Sequence, residues 1–158
     1  MHTGIESPDQ PDVIALIAEL DAYQDRLYPA ESRYALDLAS LKKPNVCFIV
    51  TRDNDGLALG CGAIVLYDGY AELKRMYVRQ HSRGKGIAQA ILSALEQAAV
   101  AAGYTLFKLE TGPFQPEALA FYARSGYAPC ARYADYRDDP NSVYMQKLYA
   151  ASGPCAKS

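Results

Sequence analysis

The sequence predicts an α/β domain built around a mixed sheet, and three observations predict it. The chain has 158 residues, of which half are hydrophobic and 22% are charged, a composition that supports one packed core. Apolar residues recur at helical spacing in some segments and with the spacing of a strand in others. The two kinds of segment alternate along the chain, which is typical of α/β folds.

The first half of the chain predicts two helices and then three strands. A helix begins at Pro11, the pattern is interrupted at Pro29, and a second short helix covers Glu31 to Leu41. The periodicity then changes to that of strands, which are predicted at 46–50, 57–66 and 70–78. Short turns rich in Asp, Asn and Gly separate these strands, so we expect an antiparallel meander.

The second half predicts a long helix, a strand, a short helix and two more strands. The long helix runs from Ile87 to Ala102, and Gly103 ends it. Pro116 is a suitable first residue for the short helix, which covers 117–124. The strands are expected at 105–111, 127–133 and 142–148. We interpret residues 1–150 as a single domain and 151–158 as a flexible tail.

Composition and charge argue against several classes of function. The net charge is −2, so no basic surface indicates binding to nucleic acid. No apolar stretch approaches the roughly 20 residues that span a bilayer, and the N-terminus does not resemble a signal peptide. The four cysteines are widely spaced and only two histidines are present, so no zinc-site spacing exists. We therefore expect a cytoplasmic protein without a metal ion and without a membrane partner.

The most informative segment is the glycine-containing loop before the long helix, Arg83-Gly84-Lys85-Gly86-Ile87-Ala88. Small residues let a ligand approach the backbone, and the first N–H groups of a helix have no partners within the helix. The loop therefore predicts a site for a phosphate or pyrophosphate. It is not a P-loop, since GxxxxGK[ST] is absent, and it lacks the third glycine of the dinucleotide fingerprint.

This loop resembles the (Gln/Arg)-x-x-Gly-x-(Gly/Ala) signature of the GNAT superfamily of N-acetyltransferases. Residues 115–127, Gln-x-x-Ala-x-x-x-Tyr-x-x-x-Gly-Tyr, resemble a second signature of that family, with Gln115 in place of the usual Asn. The likeness is specific over residues 70–128 and extends to the order of elements elsewhere. It implies a GNAT fold, a mixed central sheet of about six to seven strands flanked by about four helices.

The resemblance implies acetyl-CoA as the co-substrate, with a cleft where the strands at 70–78 and 105–111 split apart. The backbone around Met76 and Val78 would pair with the pantetheine arm, and the glycine loop would hold the pyrophosphate. The residues expected to bind the cofactor are Met76, Tyr77, Val78, Arg83, Gly84, Lys85, Gly86, Ile87, Ala88 and Gln115.

Acetyl transfer to an amine needs a base to neutralise the amine and an acid to protonate the departing thiolate. The family uses the tyrosine at the position of Tyr122 as the acid, and a phenol stays protonated at neutral pH. Glu72 is the expected base, because some members of the family carry a base glutamate at this place and positions 72, 74, 76 and 78 should share one face. Glu110, on the opposite strand, is expected to contact the substrate and is the alternative base.

The acceptor is expected to bind against the connection between the first two helices, where Tyr28 and Glu31 are candidate pocket residues. We expect an acetyltransferase acting on the primary amine of a small molecule by direct attack in a ternary complex. Two alternatives remain open: a non-catalytic acyl-CoA sensor, and an enzyme that acetylates a protein lysine or N-terminus. An exposed sheet edge makes a homodimer plausible.

Overall fold

The computed structural model describes residues 1–150, and the tail predicted at 151–158 lies outside the described residues. The strands are β1 (His2–Ile5), β2 (Val46–Arg52), β3 (Ala58–Leu66), β4 (Ala71–Val78), β5 (Leu106–Thr111), β6 (Ala128–Pro129) and β7 (Val143–Leu148). The helices are α1 (Pro11–Asp25), α2 (Leu38–Leu41), α3 (Ile87–Ala101) and α4 (Pro116–Arg124). Single 3-10 turns lie at Ala30–Ser32 and Gln80–Ser82.

The strands form one seven-stranded sheet in the order β1-β2-β3-β4-β5-β7-β6. Neighbouring strands are antiparallel except for β4 and β5, which are parallel. The predicted α/β class, the mixed sheet and the β2-β3-β4 meander are confirmed.

Helices cover both faces of this sheet. On one face, α3 and α4 pack against an apolar cluster that includes Ile64, Leu92, Phe107 and Leu109. On the other face, Val13 and Leu16 of α1 pack against β2 and β3. Both faces of β2 and β3 are therefore buried, which explains their nearly continuous apolar sequence. None of the helices in residues 1–150 is both long and apolar enough to cross a membrane.

Three details of the predicted elements are wrong. Strand β1 was not expected, and it pairs with the edge of β2. The helix expected over 31–41 is only α2, because Asp37 accepts a hydrogen bond from the Ser40 N–H and so caps a helix that begins after it. The strand expected over 127–133 is only β6, where Pro129 has no N–H to donate.

Candidate active site

The central feature is a split between the two parallel strands. β4 and β5 pair only at Ala71–Phe107 and Glu72–Lys108, and beyond these pairs the strands diverge. The predicted split between these strands is thus present, and it opens a cleft with a volume of about 110 Å³ that is continuous with solvent. The end of α1, the segment that follows it, β4, β5 and α4 line the cleft. Backbone groups in such a split are free to pair with an amide-bearing ligand.

A β-bulge in β4 determines which side chains reach this cleft. Arg75 and Met76 together oppose a single residue of β3, Gly62, and Arg75 has a left-handed φ of 59°. The extra residue inverts the alternation: Glu72 lies on the α1 side of the sheet, whereas Met76 packs into the core beneath α3. The prediction that positions 72, 74, 76 and 78 share one face is therefore wrong.

Four charged side chains line the cleft. Three are the cations Arg33, Lys74 and Arg75, and the fourth is the carboxylate of Glu110. It accepts a hydrogen bond of 2.9 Å from the Ser142 hydroxyl. Burial raises the pKa of Glu110 to about 7, against the opposing effects of Ser142 and of the Lys74 charge. Near neutral pH this carboxyl group can both take up and release a proton.

Glu72 lies in a different environment, although it is on the same side of the sheet. Its side chain is buried and does not line the cleft. Its Oε2 atom accepts hydrogen bonds from the hydroxyls of Tyr133 (2.7 Å) and Tyr136 (2.5 Å), and Lys74 Nζ lies 3.6 Å away. Its negative charge and burial raise the pKa of both tyrosines, so they remain donors. The carboxylate of Glu72 is thus occupied by structural partners.

Tyr122 borders the cleft from α4, opposite the end of β4. Its ring packs against Phe121 and Tyr127, with centroids 5.3 and 5.8 Å away. Burial raises the pKa of Tyr122 well above its ordinary value, so the phenol is protonated throughout the physiological range. Tyr122 and Glu110 line the same cleft.

Tyr28, in the segment after α1, connects that segment to the start of α4. Its hydroxyl accepts a hydrogen bond of 3.1 Å from the Phe114 N–H and donates one of 3.2 Å to Gln115 Oε1. Gly112 permits this arrangement, because a Cβ atom at that position would overlap the Tyr28 hydroxyl. Tyr28 and Gln115 both line the cleft, whereas the exposed Glu31 does not.

A second cavity, of about 260 Å³, lies at the N-terminus of α3. It is lined by Val78, Ser82, Arg83, Gly84, Gly86, Ile87, Ala88, Gln89, Phe121, Arg124 and Ser125. Gly84 and Gly86 both have φ of +80°, which other residues rarely adopt, and a Cβ atom on either would meet open space. Gly86 provides no side-chain cap for α3, so the first N–H groups of the helix are available to an anion.

Comparison with known proteins agrees with this geometry. A family model described as the acetyltransferase (GNAT) family matches residues 13–127. The chain is 44% identical over 144 residues to an IAA acetyltransferase of Azospirillum brasilense, an alignment that covers 90% of this chain and 94% of that protein. The chain belongs to the GNAT acetyltransferase family.

Other members of the GNAT family are also similar. An uncharacterized N-acetyltransferase of Bacillus subtilis, YsnE, is 35% identical over 151 residues, which cover 93% of this chain and 99% of that protein. A Klebsiella pneumoniae structure assigned to the acyl-CoA N-acyltransferases is 36% identical, with a TM-score of 0.80 over 94% of this chain and 97% of that one. The predicted GNAT fold is therefore confirmed.

Within this GNAT fold, most of the residues expected to bind the cofactor lie at one of the two cavities. Met76 and Gln115 line the cleft, and the loop residues line the second cavity. Tyr77 instead points to the α1 side, where its hydroxyl donates to Glu19, and Lys85 is exposed outside both linings. Sequence reasoning missed several lining residues that belong to no motif, namely Arg33, Arg75, Arg124 and Asn141.

Proposed function

We propose that this chain transfers the acetyl group of acetyl-CoA to the primary amine of a small molecule, by direct attack in a ternary complex. The main support for the proposal is that one cleft contains a group suited to accept a proton, Glu110 on β5, and a group suited to donate one, Tyr122 on α4. The cleft lies where β4 and β5 diverge and next to the glycine loop, so the amine and the thioester can meet there.

Glu110 supports the first proton transfer. An amine in water carries a proton and must lose it before it attacks a carbonyl carbon. A carboxylate with a pKa of about 7 accepts that proton, directly or through one water molecule, at the pH where the enzyme works. We assign the base to Glu110 rather than to Glu72, because the Glu72 carboxylate is occupied by two tyrosine hydroxyls outside the cleft lining.

Tyr122 supports the second proton transfer. As the new N–C bond forms, the C–S bond breaks and negative charge develops on sulfur. A buried, protonated phenol at the edge of the cleft is suited to donate its proton there. The roles of Glu110 and Tyr122 are therefore complementary, since one accepts a proton and the other supplies one.

The second cavity fits the diphosphate of coenzyme A. The uncapped N-terminus of the 15-residue helix α3 favours negative charge, and Arg83 and Arg124 add positive charge at the same cavity. Two structures of the same fold, a PaiA N-acetyltransferase of Thermoplasma acidophilum and an aminoglycoside 6'-N-acetyltransferase, are complexes with coenzyme A. Acetyl-CoA supplies the activated acetyl group, and the side chains of this protein position it and move the protons.

The shape of the cleft favours a small acceptor over a protein. Tyr28 and Phe114 stack at 5.5 Å, and Tyr28 lies buried against the loop that starts α4. The Tyr28 ring forms part of the cleft wall, whereas Phe114 is more than half exposed and lies outside the lining. A flexible peptide would need a longer open groove, and a sensor without activity would not need a base and an acid in the same cleft.

Release of the coenzyme A thiol, measured with acetyl-CoA and a panel of amines, tests the proposal. Glu110→Gln and Tyr122→Phe should each lower kcat by about 100-fold or more, the usual scale for general acid–base catalysis. Neither variant should change coenzyme A affinity, measured by calorimetry. Binding of coenzyme A without release of thiol for any amine would support the sensor alternative, and turnover only with peptides would support a protein acceptor.

A further inference from the structure

The cleft contains one buried and one partly buried guanidinium group that no sequence motif explains. Arg75, in the β4 bulge, has a side chain only 4% exposed, and Arg33 lies in the segment after α1 with a side chain 16% exposed. Both line the cleft. Within residues 1–150, the Nε atom of each is buried and has no hydrogen-bond partner.

Their positive charges are only partly compensated. Both guanidinium groups share one carboxylate oxygen, Oδ1 of Asp21, at 2.9 Å from Arg75 and 3.2 Å from Arg33. Arg33 also pairs with Asp25. Asp21 and Asp25 are 42% and 66% exposed, so solvent screens them more than it screens the arginines. A buried, incompletely paired arginine favours a further anionic partner.

The opposite wall of the cleft carries the complementary charge. Arg75 belongs to β4, whereas Glu110 belongs to β5, on the other side of the split. Lys74, the third cation of the lining, is already bonded to the Tyr34 carbonyl and to Tyr136, with Glu72 close by. The two arginines are therefore the cations with donors left for a ligand.

We propose that the acceptor is an amine that also carries a carboxylate, an amino-acid-like zwitterion whose carboxylate contacts Arg33 and Arg75 while its amine faces Glu110. This inference rests on the proposed function, because it assigns the substrate class of the same cleft. The planar fork of a guanidinium matches a carboxylate with two parallel hydrogen bonds. A carboxylate adds one negative charge, whereas a phosphate dianion adds two. Because both arginines already have acidic partners, the single added charge of a carboxylate is the better match.

Matched pairs of acceptors test the proposal in thiol-release assays. Glycine, β-alanine and γ-aminobutyrate are compared with their carboxamides, and aminoalkylphosphonates form a third group. The wild-type enzyme should prefer the best acid over its amide by at least tenfold in kcat/KM. Arg33→Gln should raise KM for the acid by about 10- to 100-fold, the scale of a charged hydrogen bond, and should reduce the preference for the acid over its amide by a similar factor. Arg33→Lys should retain part of the preference.

Controls separate recognition from folding. Arg132→Gln removes the same charge from an exposed position outside the cleft lining and should change neither acceptor. Arg75→Gln should behave like Arg33→Gln, and if it fails to fold, the two Arg33 variants still decide the question. Equal rates for acid and amide in the wild type, an equal loss for both in Arg33→Gln, or a preference for phosphonates would overturn the proposal.

Calorimetry distinguishes this proposal from the proposed function. Titration of acids and amides into the protein saturated with coenzyme A needs no turnover. If no amine releases thiol but acids bind selectively and Arg33→Gln abolishes that binding, the proposed function fails and the carboxylate site stands. If amines without a carboxylate react as well as the acids, the acetyltransferase stands and the carboxylate site is wrong.

Discussion

At the scale of single residues, Glu110 links activity to stability. Burial holds its pKa near 7, so the folded protein binds a proton there that the unfolded chain releases at about pH 4.5. Between those two pH values the folded state binds more protons than the unfolded state, and its stability falls as pH rises. The ionised carboxylate that the proposed reaction needs is therefore the form that folding disfavours.

Glu110→Gln should separate these two effects. In the wild type, kcat/KM should rise with pH through about 7 as the base ionises. The Gln variant should lose activity at every pH and be more stable than the wild type at pH 8, by roughly 2–8 °C in Tm, because it no longer buries a charge. Thermal unfolding at pH 5 and pH 8 checks this, and an unchanged or lower Tm at pH 8 would show that the Glu110 charge is well solvated.

Tyr122→Phe removes one hydroxyl and keeps the ring that packs on Phe121 and Tyr127. If the hydroxyl protonates the leaving sulfur, kcat should fall by about 100-fold while Tm and coenzyme A affinity stay close to those of the wild type. Tyr104→Phe is the matched control, since Tyr104 packs against the same core from outside the cleft. Equal turnover in both variants would leave Tyr122 with a packing role alone.

At the scale of elements, the junction between the glycine loop and α3 is the proposed binding site for the negatively charged diphosphate. Gly86→Glu places a carboxylate at that helix N-terminus and should weaken coenzyme A binding by about tenfold or more through charge repulsion. Gly69→Glu is a close control. Gly69 has φ of +88° and open space around its Cβ direction, and it lies in the turn at the other end of β4.

Calorimetry with coenzyme A, together with thermal unfolding, compares these two glycine variants. Both substitutions impose the same backbone strain, so both should lower Tm by similar amounts. Only Gly86→Glu should lose affinity for coenzyme A. Similar losses of affinity in the two variants would mean that the second cavity does not hold the diphosphate.

Local signals predicted most of the elements, and long-range contacts account for what they missed. Helix α3 and strand β7 have strong periodicity, and their predicted limits agree with the structure to within about one residue. Strand β1 is four residues long and forms only because β2 offers an edge, which no local pattern records. Arg33 was missed for the same reason, since its importance comes from Asp21 and from the cleft wall rather than from a motif.

At the scale of the whole molecule, Arg52 fastens the N-terminal segment to the sheet. From β2 it pairs with Glu6 just after β1 (2.9 Å) and with Asp12 in α1 (2.5 Å). Hydrogen bonds from Arg52 lower the pKa of both carboxyl groups. Groups with lowered pKa values stabilise the fold above their unfolded pKa values, and that contribution disappears as pH falls toward 3. Glu6 and Asp12 lose their stabilising contribution as pH falls, and Glu110 lowers the stability of the fold as pH rises. We therefore expect the fold to be most stable in mildly acidic solution.

Arg52→Gln should lower Tm at pH 7, and the difference from the wild type should shrink as pH falls toward 3, because protonated carboxyl groups no longer attract the arginine. Arg132→Gln, an exposed change with the same loss of charge, should have little effect at either pH. Thermal unfolding across that range provides the measurement. A difference between Arg52→Gln and the wild type that is independent of pH would show that packing of the arginine stem, rather than charge, holds the segment.

The bulge in β4 has a consequence for how this enzyme can vary during evolution. Before the bulge, Glu72 and Lys74 lie on the α1 side of the sheet, whereas after it the shifted alternation places Met76 and Val78 beneath α3. A substitution at one position alters one face of the sheet at a time. Deletion of a single residue between Glu72 and Val78 would restore regular alternation and turn the side chains on one side of the deletion to the opposite face. The number of residues in this stretch should therefore tolerate change less than their identities do.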